Sequence, residues 1–466
     1  MALTVSVDEI VQGSRNPLLG ARPHWKRIRL GDIASVLNGF AFKSAQFTKG
    51  DGMPLIRIRD VGSDSTDTNY VGESEHRYIV EPGDLLIGMD GDFNCARWRG
   101  PRGLLNQRVC KVTLRSEQYH PRFLDVALPG YLKAINDATS SVTVKHLSSR
   151  TIEDIPLPFP PLLEQEEIVA ELEKQFSRLD EAVANLKRVK ANLKRYKAAV
   201  LKAAVEGRLV PIESELARRE GRDYETGEGL LSRLLLARRT AWEGKGRYVE
   251  PPSARGDSTG LPDGWTWACV QQLNPADRPC AYGVLQPGDD IADGVPFVRV
   301  GDIDDGQVDV EGMKAISHGI ASAYPRTQLR GGEVLITLVG AIGRTAVVPK
   351  GLAGANVARA VGVIPLLAEV NPYWVEIWFR NPGKIAEMDS KSHEVARKTL
   401  NLEDVRSAEV AIPPLAEQER IVAEVDRRLS IIREVQAEVD ANLKRAQALR
   451  QAVLARAFAV PCESGQ

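Results

Sequence analysis

The chain has 466 residues, 61 Lys and Arg against 62 Asp and Glu, a net charge of −1 and 43% hydrophobic residues. This length leaves room for about three domains with ordinary cores, and the near-zero charge excludes a whole-chain positive field, so any nucleic-acid role must rest on local basic patches. The cysteines Cys95, Cys110, Cys269, Cys280 and Cys462 have no C-x-x-C spacing, which excludes a zinc ribbon or redox pair, and with no run of about 18 apolar residues and no apolar N-terminal signal segment the sequence predicts a soluble cytoplasmic protein with reduced thiols and no membrane contact.

Residues 1–22 read as a polar lead-in. A first globular segment, 23–155, carries strand patterns: Leu55-Ile56-Arg57-Ile58-Arg59 and Val109-Cys110-Lys111-Val112-Thr113-Leu114 alternate apolar with polar residues, the mark of half-buried strands. Lys49-Gly50-Asp51-Gly52 and Glu81-Pro82-Gly83-Asp84 punctuate them as turns. Residues 121–137 read as a helix. A long rod then occupies 156–207. Pro160-Pro161 suits a first turn, where the missing N–H had no partner anyway. Glu164, Glu166 and Glu167 follow at the positive end of the dipole. Ile168, Leu172, Phe176, Leu179, Val183, Leu186, Val189, Leu193, Tyr196 and Val200 recur at steps of three and four, a coiled-coil seam. A connector, 208–259, holds a short helix around Leu230 to Trp242 and a Pro- and Gly-marked linker. A second globular segment spans 260–410, a second rod 411–459, and a tail 460–466.

The two rods are copies. Pro160-Pro161-Leu162-Leu163-Glu164-Gln165-Glu166 returns as Pro413-Pro414-Leu415-Ala416-Glu417-Gln418-Glu419, an offset of 413 − 160 = 253, and Ala199-Val200-Leu201 returns as Ala452-Val453-Leu454 at the same offset. The globular segments echo each other more loosely. Pro54–Val61 matches Pro296–Ile303 at 242, Gly83–Ile87 matches Gly332–Ile336 at 249, Asn106 pairs with Asn356 at 250 and Lys145 with Lys398 at 253. Drifting offsets are expected where loops vary and strands persist. The expected architecture is α+β: two mixed α/β domains, each followed by a long helix, with the helices paired as an antiparallel coiled coil. A rod of about 45 residues is roughly 65 Å long. Two domains held at opposite ends of such a pair would meet sites separated by a turn or two of DNA, each turn about 34 Å.

No catalytic motif accompanies this plan. There is no phosphate-binding G-x-x-x-x-G-K-[ST], no G-x-G-x-x-G after a strand and no H-E-x-x-H. The six histidines stand singly, without metal-ligand spacing. Asn371-Pro372-Tyr373-Trp374 resembles in part the Asn-Pro-Pro-Tyr loop of amino-methyltransferases, but its second proline is missing and it reads as a helix start. Bases are the more telling feature. Arg97-Trp98-Arg99-Gly100-Pro101-Arg102-Gly103 places three arginines and an aromatic in a turn-prone loop, and arginine can bind phosphate or fork onto guanine. The same domain adds Lys43, Arg57, Arg59, Arg108 and Lys145, and the second offers Arg299, Arg344, Arg359, Lys391 and Lys398.

The order of domain, Pro-Pro-Leu-x-Glu-Gln-Glu rod, connector, Leu261-Pro262-Asp263-Gly264-Trp265, second domain and second such rod resembles the DNA-specificity subunit of type I restriction–modification systems, from about Trp25 to Phe458. Asn38-Gly39-Phe40-Ala41-Phe42-Lys43-Ser44 and Ala281-Tyr282-Gly283-Val284-Leu285-Gln286-Pro287-Gly288 are similar to the openings of two different classes of its target recognition domains. The resemblance implies that each domain reads one half of a bipartite, asymmetric site in double-stranded DNA. It implies that the rods set the spacer and dock two methyltransferase subunits, with Pro160, Pro161, Glu164, Gln165, Pro413, Pro414, Glu417 and Gln418 as docking candidates. It places S-adenosylmethionine, ATP and Mg on partner subunits, none in this chain, and leaves open whether a restriction subunit joins. The chain itself would be non-catalytic. The competing reading is a coiled-coil scaffold joining two protein-binding domains, with the arginines as solvated faces.

Overall fold

The computed structural model describes residues 5–14, 16–20, 22–139, 145–244, 246–256, 260–394 and 398–458; Cys462 and the tail 460–466 lie outside them. The chain divides into two compact units. Unit 1 gathers 1–187 with 440–466, and unit 2 is 188–439.

In unit 1 a four-stranded antiparallel sheet runs in the order Ala34–Asn38, Val109–Leu114, Leu85–Gly88, Cys95–Arg97. Its central strand Leu85–Gly88 is buried on both faces. Leu85, Ile87, Cys110 and Val112 pack with Phe123, Leu124, Ala127, Leu128 and Tyr131 of the helix Pro121–Ala138. Leu86 and Val109 face the opposite way, onto Leu55, Ile56, Val80, Trp98, Leu104 and Leu105. That second layer is a five-stranded sheet in the order Phe47–Thr48, Asn69–Tyr70, Met53–Ile56, Gly103–Leu105, Ile79–Val80. The alternation in Val109–Leu114 therefore separates two packed layers over most of its length, with Thr113 reaching water. Lys111 is drawn inward, its Nζ donating to Ile79 O at 2.8 Å and to Asp84 at 3.2 Å, as a half-buried ammonium requires.

Two expectations are corrected here. The run Leu55–Arg59 is not one strand: it ends at Ile56, and Ile58–Asp60 forms a 3₁₀ turn. The cause is Asp60, whose carboxylate accepts the Arg57 N–H at 2.9 Å and closes the turn. The lead-in is not merely polar chain. Val7–Gly13 is a helix with a reciprocal cap, Ser6 N–H to Glu9 Oε2 at 2.8 Å and Glu9 N–H to Ser6 Oγ at 3.3 Å, and Val7, Ile10, Val11 and Leu19 enter the same core as Trp25 and Phe123.

Unit 2 repeats the plan. Its four-stranded sheet runs Ala281–Tyr282, Val361–Ile364, Val334–Thr337, Thr345–Val347, with Val334, Ile336 and Ile364 on the helix side and Leu335, Val361 and Val363 on the other. The covering helix Pro372–Arg380 buries Trp374 and Phe379 completely. Asn371 caps it, accepting the Tyr373 and Trp374 N–H groups at 3.1 and 3.4 Å, so this stretch is a helix start as the sequence suggested. The connector helices Glu213–Glu220 and Gly227–Thr240 belong to this unit, and Leu230, Leu231 and Leu234 join its core.

Strand register ties the two folds together residue by residue. Lys26–Arg29 pairs with Pro156–Phe159 as Thr266–Cys269 pairs with Glu409–Ile412. Leu55 pairs in parallel with Leu104, and Phe297 with Asn356, so position 104 aligns with 356, an offset of 356 − 104 = 252. The pairing of Asn106 with Asn356 read from sequence is thus two residues out of register: Asn106 aligns with Ala358. Both donate their N–H to the preceding parallel strand, Asn106 to Ile56 O at 3.3 Å and Ala358 to Val298 O at 2.9 Å.

The long helices are Leu162–Val205 and Leu415–Phe458, each of 44 residues. Within unit 1 the early part of the first meets the late part of the second: Arg450 Nη1 donates to Asp180 at 2.5 Å, its guanidinium lies 4.4 Å over the Phe176 ring, and Phe458 packs on Trp25 and Phe123. Within unit 2 the late part of the first, Val200, Leu201 and Ala204, shares a core with Ile421, Val425, Leu429 and Ile432. The pairing is antiparallel. Of the expected seam, Val189 and Tyr196 are exposed, because one partner helix covers a narrower stripe than a globular core does.

Candidate nucleic-acid interface

In an antiparallel sheet the end of one strand lies beside the start of the next. In unit 1 this gathers the loops after Asn38, after Gly88 and before Val109 on one edge. Gly39 N donates to Val109 O (2.8 Å), Phe40 N to Leu105 O (3.0 Å), Gln107 N to Phe40 O (2.8 Å), Met89 N to Arg108 O (2.8 Å) and Gly91 N to Lys145 O (3.2 Å). Unit 2 builds the same edge with four of these bonds: Val284 N to Val357 O (2.8 Å), Arg359 N to Val284 O (2.9 Å), Leu338 N to Ala360 O (2.8 Å) and Gly340 N to Lys398 O (3.2 Å). The approach is so close that a Cβ on Gly39 would stand 2.0 Å from Asn106 O, and one on Gly283 2.1 Å from Val357 O. Glycine is obligatory at both. The loops are therefore fixed to the sheet, as a recognition surface requires.

The candidate bases divide between this edge and elsewhere. Arg108 and Lys145 lie on the edge of unit 1, and Arg344, Arg359 and Lys398 on that of unit 2; Lys43 lies on the loop that leaves Asn38. Arg108, with a left-handed φ of 68°, pairs with Asp90 at 2.8 Å, and the other Asp90 oxygen lies 2.6 Å from His146 Nδ1. Lys145 Nζ donates to Asn136 O and Oδ1 at 2.8 and 2.9 Å. Lys398 pairs with Asp389 at 3.0 Å and Lys391 with Glu387 at 2.8 Å. Arg57, Arg59 and Arg299 lie at the 3₁₀ turns after the parallel strands. Arg59 pairs with Asp67, and Arg299 forks onto Asp302 at 2.7 and 3.0 Å. Among the described residues, Lys43, Arg99, Arg344 and Arg359 are exposed and carry no ion pair.

The arginine-rich loop lies at the opposite edge. Arg97 pairs with Leu85 at the far end of the sheet. Its guanidinium donates to Asp125 (2.6 Å), Gly83 O (2.7 Å) and Pro121 O (3.2 Å), which ties the sheet to its helix. Trp98 is 2% exposed, with Nε1 donating to Pro101 O at 2.7 Å, so it is a core side chain and not a stacking platform. Arg102 meets Glu81 at 3.1 Å. The sequence pattern could not separate these roles, because a tether and a contact draw on the same residue types.

Most of the docking candidates turn inward. Gln165 is fully buried. It donates to Pro160 O (2.8 Å) and Gln118 O (3.0 Å) and accepts the His120 N–H (2.7 Å). Gln418 repeats the first bond, to Pro413 O at 2.9 Å. Glu417 is buried, accepting from Trp265 Nε1 and from Glu213 N, each at 2.9 Å; burial pushes its carboxyl above the usual range despite these donors. Pro160, Pro413 and Pro414 are buried as well, whereas Pro161 is exposed. Glu164 is held by Arg22 at 2.8 Å, with His24 Nε2 at 3.2 Å. The repeated motif is an internal clamp. Its glutamine bonds back to the carbonyl five residues earlier and fixes the angle at which each rod leaves its domain.

Among the described residues no helix is long and apolar enough to cross a membrane, and no group of three or more His, Cys, Asp or Glu is placed to hold a metal ion. The buried Cys110 and Cys280 thiols are pushed up to about 12 by burial, which keeps them protonated and unreactive.

Residues 23–195 match the model of the type I restriction modification DNA specificity domain. The chain is 40% identical over 460 residues to the specificity subunit of the Escherichia coli type I restriction enzyme EcoBI, covering 98% of this chain and 90% of that one. It is 23% identical over 465 residues to the EcoKI specificity subunit of Escherichia coli K12, covering 93% and 88%. Its fold is similar, at a TM-score of 0.59 and 18% identity, to a chain solved in a study of complex assembly and conformational transition of the type I R-M system, covering 94% of this chain and 98% of that one. The chain belongs to the DNA specificity subunits of type I restriction–modification systems.

Proposed function

We propose that each unit reads one half of a bipartite, asymmetric site in double-stranded DNA through its glycine-clamped loop edge. The paired long helices set the spacer and dock two methyltransferase subunits. The chain chooses the site and performs no chemistry, and S-adenosylmethionine, ATP and Mg act on partner subunits, with a restriction subunit as a further partner.

The observation that carries this reading is the repeated edge. The backbone bonds that fix it recur at matched register in both units, while the side chains on it differ: Phe40, Gln107, Arg108 and Asp90 in unit 1 stand where Val284, Arg359, Ala360 and Val339 stand in unit 2. One scaffold with two unlike sets of readers suits two unlike half-sites, since base contacts and not the scaffold specify sequence. The free bases Lys43, Arg344 and Arg359 supply phosphate or base contacts there. The spacer role rests on the two 44-residue helices, each about 66 Å long.

Genome-wide methylation mapping of cells carrying this gene with its neighbours tests the reading. The expected result is one split motif whose two halves are unrelated. An uninterrupted palindrome that depends on this chain refutes it, and unchanged DNA affinity after joint replacement of Arg344 and Arg359 by alanine would favour the scaffold alternative.

A further inference from the structure

The register assigns Gln107 and Arg359 to one structural position, the base-reading tip of each unit, and we propose that Gln107 reads an A·T pair in one half-site while Arg359 reads a G·C pair at the equivalent place in the other. The assignment rests on the half-site reading above and deepens it to single residues. Gln107 N donates to Phe40 O and Arg359 N to Val284 O, at 2.8 and 2.9 Å, and each follows the same parallel strand pair. The offset between them, 359 − 107 = 252, is that of the paired strands on either side. Sequence comparison alone misses the pair, since Arg359 aligns by type with Arg108 and not with the neutral Gln107.

Three features point to readout rather than packing. Both side chains are exposed, and among the described residues neither has a hydrogen-bond or ion-pair partner. Each sits second in a four-residue turn, closed by Val109 N to Asn106 O (3.2 Å) and by Val361 N to Ala358 O (2.8 Å), so each occupies the tip of its loop. The backbone beneath is pinned to the glycine loop on one side and to the sheet on the other, which limits the ordering cost on binding. The neighbouring cations, Arg108 and Lys145, are already held by Asp90 and Asn136, and Asn106 is buried, leaving Gln107 as the exposed, unengaged polar side chain of its turn. A glutamine amide matches adenine N6 and N7, and a guanidinium fork matches guanine O6 and N7.

The test places Gln107→Ala and Arg359→Ala, separately, in the full-length chain in its native host, followed by genome-wide methylation mapping. Gln107→Ala should relax one A·T position in one half-site by about 10- to 100-fold and leave the other half-site and the spacer intact. Arg359→Ala should relax one G·C position in the other half. If alanine abolishes methylation, the exchange Gln107→Arg decides: methylation regained at sites with G·C at that position supports the assignment, and none regained overturns it. A motif that stays strict at every position, or that keeps its preferences while occupancy falls uniformly, overturns it too, since the second is the signature of a phosphate contact. Those outcomes leave the half-site reading standing; an uninterrupted motif in the unmodified host is what removes that reading itself.

Discussion

Replacing Gln165 by alanine should open the junction between the first domain and its rod, and the matching change at Gln418 should do so far less. Gln165 is fully buried and makes three hydrogen bonds, to Pro160 O, Gln118 O and from His120 N. Each is worth about 1 kcal/mol net, and truncation also leaves one buried and two part-buried backbone groups without this partner, so about 3–5 kcal/mol is expected. Gln418 is nearly as buried but donates one bond, to Pro413 O, and its Oε1 has no partner. Its loss should come to about 1 kcal/mol. Hydrogen exchange on the full chain reads the junctions locally. Amides around 118–120 and 162–168 should lose about a hundredfold or more in protection in the Gln165 variant, and those around 415–421 less than tenfold in the Gln418 variant. Equal losses in the two variants, or unchanged exchange at 118–120 after Gln165→Ala, would refute the clamp.

Gly39→Ala should remove recognition of one half-site and Gly283→Ala that of the other, because each Cβ would meet a carbonyl oxygen at 2.0 or 2.1 Å with only backbone to yield; methylation maps that keep both halves contradict this. Arg344→Ala should lower the slope of log affinity against log salt by about one, as loss of a phosphate contact does, whereas Arg97→Ala should leave that slope alone and lower stability by about 1–3 kcal/mol through its bonds to Asp125, Gly83 and Pro121; equal slopes for both variants reject the division of roles between the edges. Glu417 has its folded pKa raised by burial, so the protonated form is the one the fold favours, and the stability it gives is present below its unfolded pKa and lost as pH rises through the folded value. Glu417→Gln should therefore flatten the fall in melting temperature as pH rises above the ordinary carboxylate range, and a pH profile identical to that of the unsubstituted chain would show that Glu417 does not carry this dependence.

The long helices and the repeat were legible in the sequence, because a seam of threes and fours and a motif copied at a constant offset need no tertiary information. The core of the lead-in was not. Val7, Ile10 and Val11 make too short a stripe to declare a helix before Trp25 and the helix Pro121–Ala138 are in place to receive it. The strand Val109–Leu114 was found, but of its polar side chains only Thr113 is exposed, and the inward turn of Lys111 was hidden because its partners, Ile79 O and Asp84, are distant in sequence. The site was half legible. Residue type marked arginine and lysine as candidates, yet Arg97, Arg99 and Arg108, close in sequence, fall on different edges of one sheet. Gln107 carried no signal at all, since an uncharged turn residue gains meaning only through its register with Arg359.

The offsets themselves show where the two readers diverged. They stand at 269 − 29 = 240 on the outer strand pair, 282 − 38 = 244 at the glycine loop, 297 − 55 = 242 at the parallel strand, 334 − 85 = 249 at the central strand, 356 − 104 = 252 beyond it and 412 − 159 = 253 at the rod. The largest step, seven residues between the parallel and central strands, holds the extra hairpin of unit 2, Ile303–Asp304 with Gln307–Val308. Length change is thus concentrated on the second sheet layer, away from the clamped edge, where one or two residues at most separate the copies. An insertion beside Gly39 or Gly283 would break the backbone bonds that aim positions 107 and 359. Substitution at those positions would break none of them. A fold arranged this way changes what it reads by exchanging side chains on a fixed edge and tolerates growth elsewhere, while the 253-residue spacing of the two clamps, which hold the rods to their domains, does not drift.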